Sequence, residues 1–115
     1  MVRVCVTRDA RGQITRLRIR GHSGYAERGA DIVCSAVSAL AQAAALGVER
    51  VAGQPVRVVQ ETGRLDIELE SPFDAARWEK AQAILETALL GIMKISEQYS
   101  AHVTVMVSGG GDRAC

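Results

Sequence analysis

His22 and Cys34 are the pair of side chains in this sequence with the clearest capacity for bond-making chemistry. Both fall in Gly21 to Leu40, reading GHSGYAERGADIVCSAVSAL. A thiol and an imidazole in reach of each other form a nucleophile and its base. The histidine takes the thiol proton, returns a proton to a leaving amine, and then activates water to hydrolyse the thioester. Asp31 has the type and place of an N-cap for a helix opening at Ile32 and Val33, which would put Cys34 at the third helical position. Unpaired N–H groups and the dipole favour an anion there, and such settings bring cysteine pKa values to roughly 3.5–7.5. Backbone N–H groups at Cys34 and the adjoining helix start would supply an oxyanion hole.

Each of these residues has a plainer reading. A cysteine in an Ala- and Val-rich helix is commonly a small buried hydrophobe, a histidine between glycines serves equally as a turn residue, and capping alone accounts for Asp31. No third group orienting the histidine is evident beyond Asp31. Gly21, Gly24 and Gly29 punctuate a loop over roughly 22–30 that could close on a bound peptide, with Gly29 permitting a backbone conformation that side chains resist. Ser35 and Ser38, about one helical turn apart just after the cysteine, are expected to bond the helix's own carbonyls rather than a substrate.

The elements that must position this pair follow from periodicity. Apolar alternation at Val2, Val4, Val6, at Leu17, Ile19, at Leu65, Ile67, Leu69 and at Val103, Val105, Val107 predicts strands near 2–8, 13–20, 64–70 and 102–108, with another near 55–61. Arg11-Gly12 and Thr62-Gly63 read as hairpin turns. A helix is predicted near 32–50. A second, near 73–98, is entered at Ser71-Pro72 and carries Ala81, Ile84, Leu85, Ala88, Ile92, Ile95 and Tyr99 on one face. The order ββαββαβ points to an α+β two-layer sandwich, one mixed or antiparallel sheet with two helices. Residues 1–108 read as a single domain and 109–115, with its glycines, as a flexible tail.

The chain has 115 residues, 48% hydrophobic and 23% charged, with a formal net charge of +1. That balance gives no global electrostatic case for nucleic acid or membrane as a partner. One Trp, two Tyr and one Phe leave no aromatic platform for single-stranded nucleic acid. Arginines nevertheless crowd the first two strands while Glu61, Asp66, Glu68, Glu70, Asp74 and Glu79 come later. Neighbouring strands pairing opposite charges explain this most simply; an arginine surface meeting ribosomal RNA or a phosphate is the sharper alternative. No signal peptide or membrane span is expected, and Cys5, Cys34 and Cys115 read as free thiols of a reducing cytoplasm, Cys5 as a small strand side chain. No metal spacing, Cys-x-x-Cys pair or cofactor fingerprint occurs, so neither metal nor cofactor is expected.

The Gly-His loop, the Asp-Ile-Val-Cys run that opens a helix, the strand pair around Gly63 and the close GIMKISEQYSAHVTVMV together resemble the bacterial ribosomal-processing cysteine proteases over nearly the whole chain. Ser23 and Ser100 depart from that pattern, away from the dyad. The resemblance implies a cysteine endopeptidase with His22 and Cys34 as its catalytic dyad, removing the N-terminal extension of a large-subunit ribosomal protein as a homodimer. The substrate segment would be apolar or aromatic before the cut with basic residues nearby, which Asp66, Glu68 and Glu70 would suit. The alternatives are a non-catalytic ribosome- or RNA-binding module of the same fold and a different thiol enzyme, an acyl transferase or redox protein. Possession of both His22 and Cys34 counts against the first, and the missing cofactor and Cys-x-x-Cys signatures against the second.

Overall fold

Alternation of valines with polar residues sends Val2, Val4 and Val6 to the buried side of strand β1 (Val2–Arg8), each 2% exposed or less. The same rule buries Ile14, Leu17 and Ile19 of β2 (Ile14–Arg20). In the computed structural model, which describes residues 1–21 and 28–109, the two strands are joined by a turn that Asp9 organises. Its carboxylate accepts from the Arg11 and Gln13 N–H groups at 2.8 and 3.0 Å.

Helix α1 (Arg28–Arg50) follows, then β3 (Val56–Glu61), β4 (Arg64–Leu69), α2 (Ala75–Gln98) and β5 (Val103–Gly109). The ββαββαβ order is the one expected. The strands form one five-stranded sheet in the order β3-β4-β2-β1-β5, antiparallel except for the parallel pair β1 and β5, so the sheet is mixed. Both helices lie on the valine face. Val33, Val37, Ala41, Ala44, Ala45 and Val48 of α1 and Ala81, Leu85, Ala88, Leu89 and Ile92 of α2 close the core against it. Close helix packing relies on small residues: a Cβ on Gly47 would come within 3.2 Å of Ile84, and one on Gly91 within 3.1 Å of Leu40.

Polar side chains fix α2 across the first hairpin. Gln82 uses both ends of its amide on one strand residue, donating to the Ile14 carbonyl and accepting from its N–H, each at 2.7 Å. Arg8 donates in bidentate fashion to Glu86 at 2.8 and 3.0 Å, and the Trp78 indole N–H donates to Gln13 at 2.6 Å.

Several expectations need correcting. Helix α1 starts at Arg28, not Ile32, so Asp31 is inside its first turns and does not cap it, and Gly29 is helical rather than in an unusual turn. Asp74 caps α2, accepting from the Arg77 N–H at 3.0 Å, so that helix is entered two residues later than expected. Tyr99, placed on the core stripe of α2, is instead its C-cap and 48% exposed, while Leu89 joins the core. The segment Ile32–Arg50 does reach the length and hydropathy of a membrane span, with a mean hydropathy of 1.6, although none was expected. Within the fold it is the core helix just described. Gly109, assigned to the tail, ends β5; the rest of that tail lies outside the described residues, as do His22 and Gly24.

Candidate active site

A helix shows a new face every hundred degrees, and α1 uses two adjacent ones. Val33, Val37, Ala41 and Val48 point into the core, while Cys34, Ser38 and Gln42, spaced by four, form a stripe beside it. That stripe and Ser35 make one wall of a cleft of about 410 Å³. The facing wall is the tip of the β3–β4 hairpin, Gln60 to Leu65, and the floor is Ile19 and Gly21 at the end of β2. Beyond Gln42 and Gln60 the cleft continues into a second hollow of about 220 Å³, where Leu46, Ala45 and Val58 are apolar and Glu49 is acidic.

The floor is set by two glycines in contact. Gly21 N–H donates to the Gly63 carbonyl at 3.1 Å. Gly63 takes a φ of 73°, and a Cβ there would lie 2.6 Å from the Gly21 carbonyl oxygen. Only glycine meets both demands. The next residue in the sequence after Gly21 is His22, which lies outside the described residues.

Cys34 is half-buried in this cleft and is the free cysteine among the described residues. Cys5, expected to be a free strand thiol, is disulfide-bonded and so is no nucleophile. As the seventh residue of α1, Cys34 stands past the first turn, and its N–H is taken up by the helix. The sequence argument for an anion-favouring helix start and for an oxyanion hole at the Cys34 N–H therefore does not carry over to this arrangement. Ser35 and Ser38 also differ from expectation. Both line the cleft, and neither hydroxyl bonds a helix carbonyl among the described residues.

Charges are distributed differently from the expected acidic substrate surface. Asp66 and Glu68 lie on the sheet face away from the helices and pair with arginines of β2. Among the described residues Glu61 and Glu49 are the acids lining the cleft and its extension, and sequence reasoning had not singled them out for it. Their signal was available only once β3 was known to stand opposite α1. His102 sits in the turn before β5, where its carbonyl accepts from the Val2 N–H at 2.8 Å.

A free thiol on the wall of an open cleft whose floor includes Gly21, the residue that precedes His22 in the sequence, has the composition of a thiol hydrolase site. The family model of cysteine protease Prp matches residues 1–104, and the chain belongs to that family. It is a ribosomal-processing cysteine protease by that membership. It is 27% identical over 107 residues to the ribosomal processing cysteine protease Prp of Bacillus subtilis, covering 91% of this chain and 96% of that protein. The crystal structure of SMU.848 from Streptococcus mutans superposes with a TM-score of 0.83 at 30% identity, covering 96% of each chain. The fold is also that of the essential ribosomal processing protease Prp from S. aureus in complex with a substrate peptide. There the TM-score is 0.83 at 23% identity, over 94% of this chain and 100% of that one.

Proposed function

We propose that this protease uses Cys34 as its nucleophile and His22 as its base to remove the N-terminal extension of a large-subunit ribosomal protein. The observation that carries this is the position of the Cys34 thiol, free and half-buried in the cleft whose floor ends in the residue before His22. In acylation the Cys34 sulfur attacks the scissile carbonyl, the imidazole takes the thiol proton and passes a proton to the leaving amine, and a thioester forms. In deacylation His22 draws a proton from water, which attacks the thioester and frees the thiol. The hollow beyond Gln42 takes apolar side chains, and Glu49 and Glu61 suit basic residues on the same segment. Gly21 and Gly24, on either side of the histidine in sequence, and Gly29 and Asp31, in the first turns of α1, are its supporting residues.

The same reading has the enzyme working in the cytoplasm as a homodimer. Leu90 and Met93, 69% and 42% exposed about one turn apart on α2, support a second copy as a partner, and light scattering on the purified protein measures it. The dyad is tested by mass spectrometry of a peptide spanning the ribosomal protein's extended N-terminus. A single cut by the wild type, lost in Cys34→Ala and His22→Ala, is expected. An uncut peptide with folded, reduced wild type overturns the proposal.

A further inference from the structure

The face of the sheet opposite the helices is where the arginines gather. Register places Arg3, Arg16, Arg18, Arg20, Arg57 and Arg64 on it, against Asp66, Glu68 and Glu61. Six cations against three anions leave a surplus of three positive charges on one face of a chain whose net charge is +1. Glu70, one residue past the end of β4, does not reverse the sign. The arginines are also held in place. Asp66, 5% exposed, accepts from Arg20 at 2.6 and 3.2 Å and from Arg64 at 2.8 and 3.0 Å, with the Arg18 guanidinium at 3.6 Å.

One carboxylate thus organises three guanidinium groups, and more charge than it cancels is left facing solvent. Arg3 and Arg57 are exposed and have no ion pair or hydrogen bond from their side chains among the described residues. Alternate arginines of β2 stand about 6.6–6.8 Å apart along the strand, and neighbouring strands about 4.8 Å apart. This is a regular grid of charge with no aromatic side chain among the described residues in it, suited to phosphates rather than to stacked bases. At the Gly21–Gly63 end a hollow of about 350 Å³ lined by Met1, Arg3, Arg20 and Thr62 shares its glycines with the floor of the cleft.

We propose that this sheet face docks the phosphate backbone of folded RNA, next to the cleft and distinct from it. RNA binding requires no cleavage, so the inference stands or falls apart from the assignment of the dyad. A ribosomal protein already on its RNA would then meet the enzyme through both surfaces, its RNA on the sheet and its terminal segment in the cleft.

The test is fluorescence anisotropy with a labelled RNA duplex of about 20 base pairs, titrated between about 50 and 200 mM salt. Salt-sensitive binding is expected for the wild type and equally for Cys34→Ala. Arg3→Gln with Arg57→Gln should weaken it by about tenfold or more and lower the salt slope by about 2, since each lost phosphate contact removes about one. Cleavage of a free peptide by this double variant should be unchanged. Glu68→Gln, which enlarges the surplus, should tighten binding, a change of sign that misfolding cannot produce. Absence of salt-dependent binding, insensitivity to both sets of variants, or tighter binding of polyglutamate than of RNA at the same ionic strength would overturn the proposal.

Discussion

Gly63 acts at the point where the β3–β4 hairpin touches the end of β2. Alanine there must adopt a positive φ and place its Cβ 2.6 Å from the Gly21 carbonyl oxygen. Gly12 offers a matched control, with a φ of 78° and nothing within 4 Å of its Cβ position. Gly12→Ala is therefore expected to lose about 1 kcal/mol in urea denaturation, the backbone strain alone, with peptide cleavage unchanged. Gly63→Ala is expected to lose about 1–3 kcal/mol and also kcat/KM, because the hairpin tip must withdraw from the cleft floor. Equal effects in the two variants would show that the glycine contact does not shape the cleft. Asp66 gives a pH prediction at the same scale. Burial opposes its charged form, yet hydrogen bonds from Arg20 and Arg64 outweigh burial and hold its carboxyl at about 2, below the usual carboxylate value. Its contribution is complete above about pH 4, where an unfolded aspartate is ionised, and disappears as pH falls through about 2. The size is at most about 2 kcal/mol, reduced by solvent reaching arginines that are 30 to 41% exposed. Urea midpoints between about pH 4 and 2 should fall further for the wild type than for Asp66→Asn, the two converging at the acid end.

Among the elements, α2 is bound to the first hairpin more through side-chain amides and ions than its core stripe suggests. Gln82→Ala strands both backbone groups of Ile14, a residue 1% exposed, and should cost about 1–3 kcal/mol in denaturant melts. Gln82→Glu keeps the acceptor and loses the donor, so it should fall between wild type and alanine. Helix α1 is the element the sequence represents least faithfully. Asp31 followed by Ile-Val has the look of a capped start, whereas Arg28-Gly29-Ala30 contains no capping residue and a poor helix former, yet the helix includes them. Local signals thus mislocate its start by four residues, and the placement of Cys34 in the helix with it. The remaining elements match in type and closely in extent, because strict alternation and a long apolar stripe are strong signals even in one sequence.

For the molecule as a whole, what local patterns cannot carry is who stands beside whom. The gathering of Arg18, Arg20 and Arg64 around Asp66 depends on β2 pairing with β4 in one register, and a slip of one residue would turn those arginines into the core. Opposite-charge pairing between strands was legible in the alternation of β2 and β4; the surplus on the assembled face was not, because β1 and β3 contribute Arg3 and Arg57 from distant parts of the chain. The cleft likewise needed the facing of α1 and the β3–β4 tip, which is why Gln42, Gln60 and Glu61 were not singled out for it. Sheet order separates the two surfaces. Helix packing and most of the cleft belong to one face, charge to the other, and they meet at the strand ends marked by Gly21 and Gly63, where Glu61 and Arg64 also line the cleft.

That order has a kinetic side. Every described residue lining the cleft falls between Ile19 and Leu65, whereas β1 is completed by β5, Val2 lying against Val103. Closing a loop of that span carries an entropy that local hairpins avoid, and such non-local pairings are slow to form. The β2–β4 region can therefore organise before the first strand acquires its last neighbour. Substitutions in β5 should then chiefly accelerate unfolding and leave the refolding rate nearly untouched, so that the durability of the enzyme and its speed of assembly are governed by opposite ends of the same sheet.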